Sequence, residues 1–263
     1  MKSRAHDSIA PRINGLTSAS DSISFAHEPL HDVPPGSLIS DLMPNALTDG
    51  DVHQIPDIVI RRLPIYVRTL KTLHDREVRS VSSEELADLI GVTAAQIRRD
   101  LSYFGKFGKQ GKGYDTAFLA QTISGILRLD RQWPVALVGL GHLGRAIANY
   151  RGFTPSSFNI VSLFDRNPRH IGDVINEIEI LPEDQLIGTL QRDNIKIGII
   201  ATPKIFAQET AEHMVAGGIE AILNYAPVIL KVPSYVTVRE IDPVSALQSI
   251  TYYISDEGVP DRT

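Results

Sequence analysis

Three glycines and one acidic residue carry the clearest chemistry in this chain. Gly139, Gly141 and Gly144 stand in VGLGHLG at GxGxxG spacing, and Asp165 closes the run FNIVSLFD twenty-one positions after Gly144. Gly139 would allow a tight turn. Gly141, without a Cβ, would let a pyrophosphate approach the backbone, and Gly144 would let a helix pack close to a strand. The free N–H groups and positive dipole end of that helix would face the phosphates. Asp165 would accept hydrogen bonds from the hydroxyls of an adenine ribose. The spacing alone is a weak sign, because glycines are common in loops and a structural glycine turn has the same form.

These residues work only if a strand, a turn and a helix hold them in place. Val135–Val138 is a short apolar run of the kind that forms a buried parallel strand. A helical pattern follows, with Leu143, Ile147 and Tyr150 on one side, and Ile160–Phe164 is a second buried strand. With strand, turn, helix, strand and acidic residue all present, the motif reads as a dinucleotide-binding unit. Its contacts are Gly139, Leu140, Gly141, His142, Leu143 and Gly144, with Asp165 and its neighbour Arg166 beyond. His142, inside the loop, is read as a helix-start residue and not as a catalyst.

The same alternation continues downstream. IEILPEDQL holds a short strand and a turn, and IKIGIIATP is a strand ending at Thr202–Pro203. A doubly wound sheet presents such residues to its ligand crevice. A helix over 205–216 precedes the strand IEAILNYAP, with Asn224, Tyr225 and Ala226 at its end, and VTVREID is the last strand. In DPVSALQSITYYIS, Val244, Leu247, Ile250, Thr251 and Ile254 make an amphipathic helix that packs on its own sheet or reaches across a dimer.

A second cluster of chemistry lies upstream. Ser82 with Glu85 is a capping box that starts a helix with Leu86, Leu89 and Ile90 inward; Gly91 breaks it and Thr93 caps the next. That next helix, AAQIRRDLSYF, turns Ile97, Leu101 and Phe104 inward and leaves Gln96, Arg98, Arg99, Ser102 and Tyr103 on its other faces. Helix, glycine turn, helix is the helix-turn-helix pattern. FGKFGKQGKGYD follows as a glycine-rich hairpin, a wing that carries Lys106, Lys109 and Lys112. Over 58–115 eleven basic residues stand against seven acidic ones, a balance of +4 in a chain of net charge −5. That asymmetry is an electrostatic footprint for DNA, with Arg98, Arg99, Ser102, Tyr103 and the three lysines as the contact set. Upstream again, Ile58, Leu63, Ile65, Tyr66, Leu70 and Leu73 recur at helical spacing, and Pro64 suggests a helix start nearby.

Composition sets the outer limits. The 263 residues, 43% hydrophobic, suffice for two modest cores. The absence of cysteine removes disulfides, thiolate metal sites and cysteine nucleophiles, and fits a cytoplasmic protein. No apolar run is long enough to span a membrane. Residues 1–56 mix Ser, Asp, Pro and Gly without periodicity and are expected to form a disordered tail; a partner motif around Ser40–Leu47 and a start at Met43 are the other readings. The expected organisation is α/β. A winged-helix DNA-binding domain over 57–116 and a linker helix over 117–133 precede a doubly wound parallel-sheet Rossmann domain over 134–241 and a terminal helix over 242–256.

The segments RRLPIYVRTL (61–70), SSEELADLIGVTAAQIRRDLSYFGKFGKQGKGY (82–114), VGLGHLG (138–144), FDRNP (164–168) and LNYAPVIL (223–230) resemble the Rex redox-sensing transcriptional repressors of bacteria. The match runs from about Ile58 to Ile254. The resemblance implies a homodimer that binds palindromic operator DNA when NADH is scarce and leaves it when NADH binds. It also implies that the terminal helix is exchanged between subunits. Asn224, Tyr225 and Ala226 would lie near the nicotinamide, and Arg68 and Asp242 would form a cross-domain pair defining one state of the switch. Two positions depart from the family pattern. FDRNP stands where relatives read FDVDP or FDxDP, and Arg166 there could receive the 2′-phosphate of NADP, although Asp165 favours NAD. Pro243 stands where relatives carry a leucine-like residue. A dehydrogenase is disfavoured, because no substrate domain follows the sheet and no YxxxK arrangement appears in it. A nucleotide-binding scaffold without DNA is disfavoured by the basic wing.

Overall fold

The computed structural model describes residues 55–105, 107 and 113–254, all within one compact unit. The tail lies outside these residues apart from its last two, as do Lys106, Lys109 and Lys112 of the wing and the final two positions of the expected terminal helix.

Helix α1 spans Asp57–Asp75 and buries Val59, Leu63, Tyr66, Val67 and Leu70 along one stripe. Pro64 lies inside this helix and does not start it. It has no N–H for the carbonyl four residues back, yet it sits on the exposed face, and the buried stripe on both sides carries the helix through. Ile58 and Ile65, which share the helical spacing, are exposed. The capping box forms as the sequence requires: Ser82 Oγ accepts the Glu85 N–H at 3.1 Å, and Glu85 accepts the Ser82 N–H at 2.8 Å. Helix α2, Ser83–Ile90, ends at Gly91 in the left-handed region, φ 79°. At eight residues it buries only Leu86 and Ala87 among its apolar residues, so Leu89, expected in the core, is exposed. Helix α3, Ala94–Ser102, is capped by Thr93 and buries Ile97 and Leu101, with Phe104 half-buried beyond its end. Strands β1 (Ser80–Val81) and β2 (Tyr114–Asp115) pair antiparallel and form the base of the wing.

The helix expected over 117–133 is shorter. Helix α4 is Thr116–Ile126, capped by Asp115, and Trp133 and Pro134 belong to the first strand of the sheet. Leu119, Ala120 and Ile123 pack into the same core as Leu63, Tyr66 and Leu70. This helix therefore completes the N-terminal core, and the chain between the two cores is the short turn before Trp133.

The sheet contains β3 (Trp133–Val138), β4 (Phe158–Asp165), β5 (Val174–Ile175), β6 (Ile178–Pro182), β7 (Ile197–Ile200), β8 (Ala221–Asn224) and β9 (Thr237–Glu240). Their order is β5-β6-β4-β3-β7-β8-β9, parallel throughout except for the β5 edge. From β3 the winding runs outward first through β4 and β6, then through β7, β8 and β9. The switch between β3 and β7 is where a doubly wound sheet opens its ligand crevice. Helices α5 (His142–Ala148), α6 (Leu186–Arg192) and α7 (Lys204–Ala216) connect β3 to β4, β6 to β7 and β7 to β8. The sequence reading had only a turn where α6 lies. Helix α8, Pro243–Thr251, buries no residue, and Val244, Leu247 and Ile250 are each more than half exposed. Among the described residues no helix is long and apolar enough to cross a membrane.

Candidate functional site

The glycine loop stands at the switch point. Gly139 leaves β3 with φ 96°, and a Cβ there would come within 2.7 Å of the Ala201 backbone at the end of β7. A Cβ on Gly144 would overlap the Gly139 carbonyl oxygen. These two glycines are thus required by the protein's own packing. Gly141 differs: a Cβ would meet nothing within 4 Å, so space is open above it, as a ligand's pyrophosphate needs. His142 is the first residue of α5, as expected, and Leu140 is buried beneath the loop. The helical pattern puts Leu143 and Tyr150 on one side with Ile147. Only Ile147 is buried; Leu143 is 48% exposed on the open side of the loop. Thr202 follows β7 beside Gly139. Its hydroxyl is buried and has no hydrogen-bond partner among the described residues. Pro203 is exposed and precedes α7.

Asp165 ends β4 next to this loop and is itself buried. One carboxylate oxygen accepts the Leu140 N–H at 2.6 Å and lies 3.0 Å from His170 Nδ1; the other accepts the Asn167 N–H at 2.7 Å. Burial works to raise this carboxyl's pKa, but the Asn167 N–H, the His170 ring and the Leu140 N–H outweigh it and hold it below the ordinary range. Asp165 therefore ties the glycine loop to β4, with acceptor capacity left on the Asn167 side for a ribose hydroxyl. Beside it a cavity of about 500 Å³ is walled by Ile171, Pro182 and Ile187, with Asp165, Arg166, Glu183, Asp184 and His213 at its edge.

Arg166 is not a free cation. Its Nε and Nη2 fork engages Glu183, its Nη1 lies 2.8 Å from Glu209, and its guanidinium sits 4.9 Å from the Phe206 ring centre. Glu183 also accepts the Thr210 hydroxyl at 2.9 Å. Sequence reasoning missed Glu183, Glu209 and His170, since nothing in PEDQL or in the α7 sequence marks a partner for a residue so far away. Asn224, expected near the nicotinamide, is fully buried; its side chain bonds the Val228 carbonyl and the Ala226 N–H, shaping the turn after β8.

In the N-terminal domain, α3 presents Arg99, Ser102 and Tyr103 to solvent. Arg98 is engaged with α2, donating to Ser83 Oγ at 2.6 Å and Glu84 at 2.9 Å. The missed residue here is Asp100, which is fully buried. It accepts from Arg62 Nε at 2.6 Å and Nη2 at 2.8 Å, from Tyr66 Oη at 2.7 Å and from Gln96 Nε2 at 2.7 Å. Burial opposes its ionisation, yet these four donors outweigh it and hold the carboxyl below the usual range. Helix α3 is thereby pinned to α1 through a buried ion pair. At its N-terminus α1 also reaches the sheet, where Asp57 pairs with Arg239 of β9, and Asp57 pairs with Arg61 as well. Arg68 is exposed on α1. Asp242 caps α8 through the Val244 N–H at 2.9 Å and Ser245 Oγ at 2.7 Å, so the two do not meet within one chain.

Comparison with known proteins agrees with this two-part layout. Residues 54–102 match the family "Putative DNA-binding protein N-terminus", and residues 130–228 match the family "CoA binding domain". The chain is 52% identical over 204 residues, 78% of its length and 93% of the relative's, to the redox-sensing transcriptional repressor Rex of Roseiflexus sp. (strain RS-1). It is 54% identical over 202 residues to that of Chloroflexus aurantiacus, covering 77% and 95% of the two chains. Among solved structures it resembles RSP, a Rex-family repressor, in complex with β-NAD+ and operator DNA, with a TM-score of 0.73, 42% identity and coverage of 76% and 92%. The same protein in complex with β-NADH gives a TM-score of 0.70, 40% identity and coverage of 76% and 94%. With relatives this similar over nearly their whole length, the chain belongs to the Rex family of redox-sensing transcriptional repressors.

Proposed function

We propose that this protein represses transcription by binding operator DNA and that it releases the DNA when NADH occupies its sheet domain. The observation that carries this reading is one compact unit holding both a basic helix-turn-helix and a glycine loop at a sheet switch point. Its similarity to a repressor solved with NAD+ and operator DNA, and again with NADH, supports the same conclusion. It acts as a regulator and not as an enzyme.

In this reading the pyrophosphate lies over Gly139–Gly144, the adenine ribose meets Asp165, and the adenine enters the cavity between Ile171 and Ile187. Thr202 and Pro203 face the nicotinamide half. A charged nicotinamide loses more than a neutral one on leaving water, so NADH binds more tightly than NAD+. On the DNA side Arg99 and Tyr103, with Ser102, enter the groove, and Lys106, Lys109 and Lys112 meet phosphates. Arg98 reaches DNA only by leaving Ser83 and Glu84, and otherwise braces α3 against α2. Two copies form a dimer through α8, whose apolar face has no cover in a single chain. A dimer fits a palindromic operator.

The test is operator binding at fixed total nicotinamide dinucleotide while the NADH to NAD+ ratio is varied. Affinity is expected to fall steadily as the NADH fraction rises. Binding that ignores the ratio overturns the proposal.

A further inference from the structure

An arginine directly after the acidic residue of a Rossmann fold ordinarily signals a place for the 2′-phosphate of NADP. The surroundings of Arg166 contradict that use. Its fork is closed on Glu183, whose side chain is only 6% exposed and is anchored again by Thr210. Its remaining terminal nitrogen lies against Glu209, and Phe206 is stacked near the guanidinium. The carboxylates of Asp165, Glu183 and Glu209 stand around one guanidinium, and Asp184 lines the same cavity, so acidic groups outnumber the cation at the ribose end of the site. A phosphate carrying about −1.5 to −2 would enter a negative field and find the Arg166 fork already occupied.

We propose that Glu183 and Glu209 set the dinucleotide selectivity of this site: by holding Arg166 they deny a 2′-phosphate its cation. This rests on the reading that NAD(H) binds at the glycine loop. The usual inference from an arginine at this position is then inverted, because the side chain serves as an internal counter-ion that positions the two glutamates. Glu209 is the more adjustable member, since its side chain is 54% exposed whereas Glu183 is buried in the fold. The surface pair is worth little by itself, and the buried fork dominates.

The experiment is calorimetric titration of NADH and NADPH into the full chain, reading the ratio of their dissociation constants. The variants are Glu209→Gln, Glu183→Gln/Glu209→Gln, and the latter with Arg166→Ala added. Glu209→Gln is expected to shift the ratio toward NADPH by about 3-fold, the scale of an exposed charge contact. The double variant is expected to shift it on the order of tenfold, the scale of one freed charge-assisted contact to phosphate. Adding Arg166→Ala is expected to cancel that gain. A ratio unchanged in both glutamine variants overturns the proposal, and so does a gain that survives loss of Arg166. Should the buried substitution unfold the chain, Glu209→Gln with and without Arg166→Ala decides alone. Failure of the parent protein to bind either dinucleotide would instead remove the functional reading beneath the proposal.

Discussion

Asp100→Asn is the sharpest test of how the DNA-reading helix is held. The side chain is fully buried and accepts four hydrogen bonds, two of them from Arg62. An amide keeps one acceptor oxygen and turns an NH2 group toward donors that need acceptors. Arg62, 19% exposed, is then left without a counter-ion. Removing one member of a buried pair costs about 3–5 kcal/mol, and the partial access of Arg62 to water places this case near about 3 kcal/mol. For a chain of this length that is a fall of about 6–12 °C in Tm, measured by scanning calorimetry. Operator affinity should fall as well, because Asp100 holds α3 in register with Arg62 and Tyr66 of α1, while NADH titration of the sheet domain should be retained. Arg62→Met/Asp100→Leu, apolar on both sides, should recover most of the lost stability. A Tm loss below about 2 °C, less than about 1 kcal/mol, would refute the reasoning, since an exposed pair costs no more.

Three further outcomes follow from the same geometry. Gly144→Ala should lower Tm sharply because its Cβ overlaps the Gly139 carbonyl, whereas Gly141→Ala, with open space around its Cβ, should keep Tm while weakening NADH binding; calorimetry and titration of both separate packing from ligand approach. The Asp100 and Asp165 carboxyls lie below the ordinary value of 3.8, so the stability they give is present well above that value and is lost as pH falls through their lowered folded values. An acid titration followed by circular dichroism should accordingly show a shallower loss for Asp100→Asn than for the parent. Leu247→Asp/Ile250→Asp should sediment as a monomer, because these residues are the apolar face of α8 left uncovered in one chain.

The sheet domain was legible because its signals are local. VGLGHLG between two Val- and Leu-rich runs implies strand, turn, helix and strand, and the structure has each of them. The capping box at Ser82 and the stop at Gly91 were equally readable, being set within four residues. What failed depended on tertiary partners. Pro64 looked like a start because a proline removes one helix bond, but the packing of Leu63, Tyr66 and Leu70 outweighs that loss. Leu89, Leu143 and Tyr150 fit a helical stripe, yet the short helices that carry or precede them bury only one turn. Apolar spacing runs past Ile126 toward the first strand, which makes the linker helix look longer in sequence than the Thr116–Ile126 it occupies. Arg166 could be read two ways until Glu183 and Glu209, seventeen and forty-three positions away, appeared beside it.

The switch itself poses a question of magnitude. A useful response of operator affinity to NADH needs coupling of about 1–3 kcal/mol, roughly 5- to 150-fold. Among the described residues, the ion pair that joins α1 to the sheet within one chain is Asp57–Arg239, and its side chains are 53% and 37% exposed. Such a pair contributes about 0–1 kcal/mol, too little to carry the response. The route we propose instead runs through α8, whose apolar residues stand uncovered in a single chain and whose root is Asp242. In the dimer we propose, with α8 against the partner's DNA-binding domain, Arg68 is one of the exposed cations on α1 and the one proposed to meet Asp242. Two double-mutant cycles compare these routes, Arg68→Ala with Asp242→Ala and Asp57→Ala with Arg239→Ala, each reading how far NADH weakens operator binding. The first cycle should be non-additive by about 1 kcal/mol or more, and the second additive within about 0.5 kcal/mol. The reverse pattern would move the switch from the dimer contact to the joint within each chain.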